Sequence, residues 1–490
     1  MAGYFKIDWL VFDIITNLQR NLTLKIMSNS KKIHFEISER KLLLRIFDVF
    51  FVSFALYCVG FIFNFNYFRF STILIYWAIV LALYINIFGA IFEMYNLQVA
   101  SNPFQILRSV ILTTTSTVLF YLLTPVFSPE LPKNRWQLLV FYITIFIALY
   151  SWRMIYLHFL ASNRFVQNAV LVCDKEQVEE LVLGLESVDP HYRIIGYINT
   201  DSDSTSKFEF QYVKNIEIKD LTSFVAKNGI SEIVVASKKT DGITTDLYHQ
   251  LIRLLESGKT IREYTQVYES KTQRIPVQYI SRDFYRFFPF SRSNQNKLYL
   301  LSTRLFEIIF SLIGLIVGVV LIPIILIGNV FGNKGKLFYT QKRVGKDGVI
   351  FDIIKFRTMV KNSEEIGAFF TEINDSRVTK FGKFLRKTRI DEFPQFINIL
   401  KGDMAVIGPR PERPEFVNKI AEIMPFYETR HIIKPGLTGW AQVKYSYGEK
   451  LEDSLIKLQY DLYYIKHRSV YLDLDITFKT ISTVLFYRGQ

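Results

Sequence analysis

Cysteine is nearly absent: the 490 residues hold two, Cys58 and Cys173. That excludes a disulfide framework and fits soluble portions kept in a reducing compartment. The six histidines show no ligand spacing, which argues against a zinc site. No G-x-x-x-x-G-K-[ST] phosphate loop occurs. Residues 1–35 lack a small-residue cleavage site after an apolar core, so no cleavable signal peptide is read. After residue 335 no uncharged stretch of spanning length appears. Residues 376–390 lack acid altogether: S-R-V-T-K-F-G-K-F-L-R-K-T-R-I holds six cations and no anion.

Apolar residues, by contrast, make up half the chain, with 44 Phe and 28 Tyr, and the net charge is +14. The length suggests two to four structural units. A basic chain suits nucleic acid, anionic lipid or phosphorylated substrates. Its cations cluster beside apolar segments and beside one acid pair, which argues against nucleic acid. Four uncharged stretches, near residues 49–63, 71–92, 109–127 and 136–152, approach the ~20 residues of a spanning helix. Tyr67, Tyr76, Trp77, Trp136 and Trp152 lie near or within their ends, as interfacial aromatics do. Lys31, Lys32, Arg40, Lys41 and Arg45 precede the first stretch, whereas the loops after the first and third carry only Arg69, Lys133 and Arg135. This bias predicts a cytoplasmic N-terminus, and four spans return the chain to the cytoplasm near Arg153. The spans lack charges at their centres, which argues against a transporter.

Residues 165–290 alternate strand and helix patterns, which predicts a parallel α/β sheet. Strands are read at residues 169–174, 192–199 and 232–237, and helices at 175–183 and 245–258. After the first strand the chain reads D-K-E-Q-V-E-E-L, with no glycine-rich turn. That disfavours a dinucleotide site and favours a structural or regulatory role.

Residues 308–328 form a 21-residue uncharged run with Pro323 in its second half. Such a run enters the bilayer. It either spans or bends at Pro323 and leaves on the side it entered. Lys334, Lys336, Lys342, Arg343 and Lys346 follow closely and favour the second, re-entrant reading. The sequence therefore predicts four regions after an N-terminal segment (1–42). They are a four-span helical bundle (43–157), a Rossmann-like α/β middle domain (165–290), a re-entrant membrane helix (301–333) and a mainly helical α/β catalytic domain (334–490).

The acid-free run ends in T-R-I-D-E-F-P, residues 388–394. Pro394 is accepted in a first helical turn, so a helix is expected to start near Asp391. A helix N-terminus and Arg386, Lys387 and Arg389 would keep a carboxylate ionised and tolerate phosphate beside it. An ionised acid in a cationic field can act as nucleophile or metal ligand, and adjacent acids suit Mg²⁺. Asp and Glu in a first turn are also ordinary helix stabilisers. Further motifs accompany the pair. T-Q-K-R-V-G-K-D-G (340–348) predicts a basic hairpin, and K-F-R-T-M (355–359), as a strand, would turn Lys355 and Arg357 to one face. G-P-R-P (408–411) stiffens the backbone around Arg410, whose fork suits phosphate. In K-P-G-L-T-G-W-A-Q-V (434–443), Trp440 reads as a packing residue and Gln442 as a candidate base contact.

These motifs, in this order, resemble the bacterial sugar transferase domain of monotopic polyprenyl-phosphate phosphoglycosyl transferases, over residue 303 to the C-terminus. The whole layout looks like the large members that initiate exopolysaccharide, capsule or O-antigen synthesis. The resemblance implies a UDP-sugar donor, an undecaprenyl phosphate acceptor, Mg²⁺ as cofactor, and UMP as a product. It implies Asp391 as the nucleophile forming a covalent phosphosugar intermediate, and Glu392, with Asp391, at the metal. It implies Arg386 and Arg410 at phosphate. Lys355, Arg357 and Gln442 complete the expected substrate contacts, and Pro323 the membrane bend. Family members often carry a small polar residue before that proline, where this chain has Ile322. The expected location is the bacterial inner membrane, multi-pass, with the catalytic domain facing the cytoplasm. A homodimer, and a catalytically silent scaffold of polysaccharide assembly, stay open as alternatives.

Overall fold

The computed structural model describes residues 37–63, 67, 75–96, 100, 103–125, 127–160, 166–187, 189, 192–201, 213–236, 243–277, 294, 296–333, 335–360, 377–424, 426–445 and 451–486. Residues 1–36 of the expected N-terminal segment, with Lys31 and Lys32, and Arg69, Ser237 and Lys334 lie outside these residues. The chain divides into two compact units: Met1–Asn86 with Met94–Tyr264, and Ile87–Glu93 with Thr265–Gln490.

In the first unit, helices α1 (Ile37–Ile62), α2 (Ile75–Ile91), α3 (Pro103–Leu123) and α4 (Trp136–Ile155) carry the apolar stretches. Three helical segments here, Glu39–Ile62, Pro103–Leu123 and Trp136–His158, are long and apolar enough to cross a membrane. The expected second span, α2, is shorter, at 17 residues, and its predicted start falls outside the described residues. The bundle core holds Val52, Leu56, Leu81, Ile85, Val110, Tyr121, Phe141 and Leu149. Phe50, Phe54, Leu119, Ile143 and Ile147 face outward, as lipid-facing residues do. At one end of the bundle Arg153 Nη2 donates to Asp48 Oδ2 at 2.5 Å and Arg153 Nη1 to the Met94 carbonyl at 2.8 Å. Both charged side chains are buried, and Phe47 and Phe51 stack on Trp152 beside them. A buried ion pair of this kind is retained only where each charge has its partner.

The α/β layer follows with β1 (Gln167–Cys173), α5 (Val178–Glu186), β2 (Tyr192–Asn199), β3 (Lys214–Asn215), α6 (Leu221–Lys227), β4 (Glu232–Val235), α7 (Thr245–Glu256) and β5 (Thr260–Glu263). The strands form one parallel sheet in the order β3-β2-β1-β4-β5. Ala169 to Cys173 are wholly buried, which is why this strand reads as continuous apolar sequence. Thr244 caps α7 by accepting from the Leu247 N–H, and Leu247, Leu251 and Leu254 turn inward while Leu255 stays exposed.

The main stretch of the second unit begins within α8 (Tyr264–Thr272). Ile275 and Val277, assigned to the middle domain on sequence, belong to the core of this unit. Their aliphatic side chains follow α8, and the compact boundary lies at Tyr264 rather than near residue 290. Helix α9 (Lys297–Gly328) is 32 residues long, and its helical backbone continues through Pro323. Asn296 Oδ1 caps its start by accepting from the N–H groups of Leu298 and Tyr299. Then come β6 (Phe338–Val344), β7 (Ile350–Phe356), α10 (Lys380–Lys387), α11 (Gln395–Lys401), β8 (Ala405–Ile407), α12 (Pro414–Ile423), β9 (Gly436–Thr438), α13 (Trp440–Lys444), α14 (Leu451–His467) and α15 (Val470–Leu485). The basic hairpin is β6 with β7, antiparallel from Phe338↔Phe356 to Val344↔Ile350. The parallel pair β8–β9 closes a core around Ile399, Met404, Trp440, Leu462 and Ile476.

One side of α9 receives aromatic rings. A Cβ on Gly314 would press into the Phe396 ring, and one on Gly328 into the Phe381 ring, so a larger residue at either position would have to push the ring aside. The remaining faces expose Ile309, Ile313, Ile316, Val320, Ile324 and Ile327. Such an unbroken apolar surface belongs against lipid or another apolar partner.

Candidate active site

The acid pair is set by three local devices. Arg389 adopts a left-handed backbone, φ +59°, and turns the chain sharply out of α10. Ile390–Glu392 then make one 3-10 turn, and Pro394 precedes α11. The pair thus lies just before the helix rather than within its first turn. Arg304 of α9 donates through Nη1 and Nη2 to the carbonyls of Ile399 (2.7 Å) and Leu400 (2.8 Å), satisfying the open end of α11. Asn398 staples α11 to the hairpin: its Oδ1 accepts from the Ile354 N–H at 3.1 Å and its Nδ2 donates to the Asp352 carbonyl at 2.8 Å.

That staple brings Lys355, the next residue of β7, to the acids. Lys355 Nζ lies 3.4 Å, Arg389 Nη1 3.5 Å and Arg410 Nη2 3.6 Å from one atom, Glu392 Oε1. Asp391 and Glu392 are both buried. Asp391 Oδ1 is buried without a hydrogen-bond partner. The cationic field therefore centres on Glu392, not on Asp391.

The electrostatics follow from this asymmetry. Burial raises the Asp391 pKa, the Glu392 charge raises it further, and Lys355, Arg386 and Arg389 only partly oppose. Burial would also raise Glu392, but Lys355, then Arg410 and Arg389, outweigh it and hold Glu392 below the usual carboxylate range. Burial lowers Lys355, against the pull of Glu392. The cations thus hold the Glu392 carboxylate ionised, while at Asp391 burial and the Glu392 charge outweigh them.

The other expected site residues divide. Arg386 Nε donates to Thr358 Oγ1 at 3.0 Å, and its charge acts on Asp391. Arg357 makes no ion pair with the acids among the described residues. It lies just beyond β7, its Nε donates to the Lys336 carbonyl at 3.2 Å, and its guanidinium covers the Tyr339 ring. Tyr339 is the cross-strand partner of Lys355, so Arg357, over the Tyr339 ring, lies on the face that carries Lys355, while Lys355 is the one of the two that reaches Glu392. Gln442 sits in α13, half-buried, with Nε2 buried and unpartnered. Trp440 is core, 1% exposed, with Nε1 donating to the Gln273 carbonyl. Pro323 lies on the stretch of α9 where Leu321, Ile322 and Ile325 pack with Phe393 and Ile390 beneath the acid turn. From sequence, Arg389 stands with Arg386 and Lys387 as a cation beside the acids, while Arg304 and Asn398 have no assigned role. Their roles arise from contacts 95 and 44 residues apart.

Comparison with known proteins bears on both units. Residues 298–487 match the family described as bacterial sugar transferase. Residues 90–241 match a family described as CoA-binding domain. The chain is 37% identical over 262 residues to a UDP-N-acetylgalactosamine-undecaprenyl-phosphate N-acetylgalactosaminephosphotransferase of Aeromonas hydrophila, covering 52% of this chain and 59% of that protein. It is 32% identical over 275 residues to a UDP-glucose:undecaprenyl-phosphate glucose-1-phosphate transferase of Klebsiella pneumoniae, covering 54% and 57%. The matched part thus spans less than two thirds of either of these relatives. A putative undecaprenyl-phosphate N-acetylgalactosaminyl 1-phosphate transferase of Bacillus subtilis (strain 168) is 42% identical over 153 residues, 31% of this chain and 86% of that protein. With its acid pair, cationic cradle and ordered motifs inside the matched region, the chain belongs to the bacterial sugar transferase family.

Proposed function

We propose that the protein moves a sugar 1-phosphate from a UDP-sugar to undecaprenyl phosphate, the first membrane step of a surface polysaccharide. The observation that carries this reading is the division of labour in the acid pair: Asp391 keeps a buried, unpartnered oxygen while Glu392 takes three cations. Asp391 attacks the sugar-bearing phosphorus. The bond from that phosphorus to the bridging oxygen breaks, and UMP leaves with the electron pair. The product on the enzyme is an acyl phosphate on Asp391. A phosphate oxygen of the polyprenyl acceptor then attacks the same phosphorus and restores the carboxylate. Splitting one displacement into two lowers each barrier. Lys355, Arg389 and Arg410 lie where the diphosphate charge would arrive, and fixed cations in a dry site stabilise it strongly.

Mg²⁺ fits the residues present. Asp391 Oδ1 is an orphaned buried oxygen beside a second carboxylate, and Mg²⁺ commonly takes one or two carboxylates with phosphate oxygens and water. Among the described residues no group of three or more His, Cys, Asp or Glu surrounds a metal position, which suits an ion completed by substrate. Glu392, with Asp391, would hold the ion, whose chemistry is to offset diphosphate charge.

The acceptor is lipid-borne, and α9 supports a re-entrant rather than a spanning path. Arg304 near its start and Gly328 at its end both meet the one folded unit that holds the acids. A crossing helix would carry the polar domain into the hydrocarbon with it. On α10, Lys380, Lys383, Phe384 and Lys387 are exposed at helical spacing, a face suited to anionic headgroups. We place the enzyme in the inner membrane with this unit on the cytoplasmic side, where UDP-sugars are made.

The test is UMP release by the full chain in nanodiscs with Mg²⁺, undecaprenyl phosphate and a panel of UDP-sugars. Lipid-dependent release abolished by Asp391→Asn supports the reaction and narrows the sugar. Release that survives Asp391→Asn overturns the assignment of the nucleophile.

A further inference from the structure

The segment that carries Arg410 is held in an unusual way. Prolines 409 and 411 flank it and donate no backbone hydrogen bond. Yet four successive carbonyls, 409 to 412, each accept from a different donor. Pro409 accepts from the Gly436 N–H at 2.9 Å, and Arg410 from Arg430 Nη2 at 2.9 Å. Pro411 accepts from Arg343 Nη1 at 3.0 Å, and Glu412 from the Val344 N–H at 3.0 Å. The backbone of Arg410 itself is thus fixed by a side chain, that of Arg430.

Arg430 is built for this task. It is 5% exposed, and its guanidinium serves three acceptors: Tyr427 Oη at 2.6 Å, Asp461 Oδ2 at 2.7 Å and the Arg410 carbonyl. Asp461 is 1% exposed. A planar fork can bridge such a set, whereas a single ammonium cannot reach it with the same geometry. The outward arm of the same residue 410 reaches Glu392. A buried charge is costly to keep, so its use as a register pin for a substrate-facing arginine gives it a function beyond packing.

We propose that Arg430, held by Asp461 and Tyr427, is a positioning residue that acts through Arg410 to set the diphosphate contact of the donor. The inference rests on the proposed phosphosugar transfer for its kinetic reading but not for its structural one. It makes Arg430 and Arg410 one functional unit although Arg430 touches no substrate.

The experiment is a double-mutant cycle in the full-length protein in nanodiscs: wild type, Arg430→Lys, Arg410→Ala and the pair. Arg430→Lys is expected to raise the KM for the UDP-sugar about tenfold in the wild-type background. In the Arg410→Ala background it changes kcat/KM less than about twofold, as expected for coupled sites. An equal loss in both backgrounds would mean a merely structural role and overturns the proposal. Hydrogen exchange supplies a second arm that needs no activity. The Gly436 and Val344 N–H groups, which grip the ends of the segment, exchange faster in Arg430→Lys than in wild type. Unchanged exchange there overturns the proposal. Should Arg430→Lys lose its melting transition, Arg430→Met with Asp461→Leu removes the guanidinium without stranding a buried charge. If the wild type releases no UMP from any donor, the transfer reaction falls, and hydrogen exchange alone decides the positioning role.

Discussion

Lys355 Nζ lies 3.4 Å from Glu392 Oε1, whereas Asp391 Oδ1, on the adjacent residue, is buried with no hydrogen-bond partner among the described residues. Lys355→Met should therefore disturb the metal- and phosphate-facing acid first. We expect kcat/KM for the donor to fall about 10- to 100-fold, the scale for loss of one charged donor in a dry site. Arg357→Met, whose parent side chain stacks on Tyr339, should fall less than about threefold by the same steady-state UMP assay, a charge-independent surface effect.

The same asymmetry fixes a pH dependence. Burial and Glu392 hold the Asp391 pKa above its ordinary value, so the nucleophilic carboxylate forms only as pH rises past the usual carboxylate range. The acid limb of kcat/KM should lie above that range. Glu392→Gln removes the like charge and frees three cations to act on Asp391, so the limb should move to lower pH. A limb that stays put in this variant would sink the assignment. The stability signs are opposite for the two acids. Asp391 binds its proton more tightly folded than unfolded, so it costs stability as pH rises through the window above its ordinary pKa. Glu392 has a lowered folded pKa, so its contribution is present above its ordinary value and is lost as pH falls below it.

Arg304 satisfies two carbonyls at the end of α11. Arg304→Ala should lower stability by about 1–3 kcal/mol, the cost of leaving buried acceptors without a partner. Thermal melting in nanodiscs reads this directly, and Arg304→Lys should recover only part of it.

Gly314 admits the Phe396 ring. Gly314→Ala should cost about 1–3 kcal/mol by overpacking, and adding Phe396→Leu should return part of it. No loss in the single variant would mean that α9 and α11 are not packed as described.

Asp48 and Arg153 form the buried pair of the helical bundle. Asp48→Ala should destabilise by about 3–5 kcal/mol because a guanidinium is stranded. Asp48→Leu with Arg153→Met should be far milder. Melting curves of the three variants separate charge loss from packing loss.

Much of this was legible in the sequence, and the parts that were not share one cause. The strand Gln167–Cys173 announces itself by apolar continuity, the hairpin by its glycines, and the acid pair by the acid-free run before it. Each is a local signal. The alternation that turns Lys355 and Arg357 to one face is visible in Arg357 covering Tyr339, the cross-strand partner of Lys355, but that Lys355 is the one to reach the acids depends on the Asn398 staple beside it. The cationic run suggested a field around both acids, but which oxygen receives the cations depends on Arg410, eighteen residues away in sequence, and on the Asn398 staple. Periodicity does not encode such contacts.

Phe393 and Ile390, the residues on either side of the acid pair, pack into one apolar cluster with Leu321, Ile322 and Ile325 of α9. The floor of the acid turn is thus a helix whose remaining faces are apolar and exposed. On the proposed path those faces meet acyl chains, and bilayer thickness and lateral pressure then become parameters of the proposed reaction.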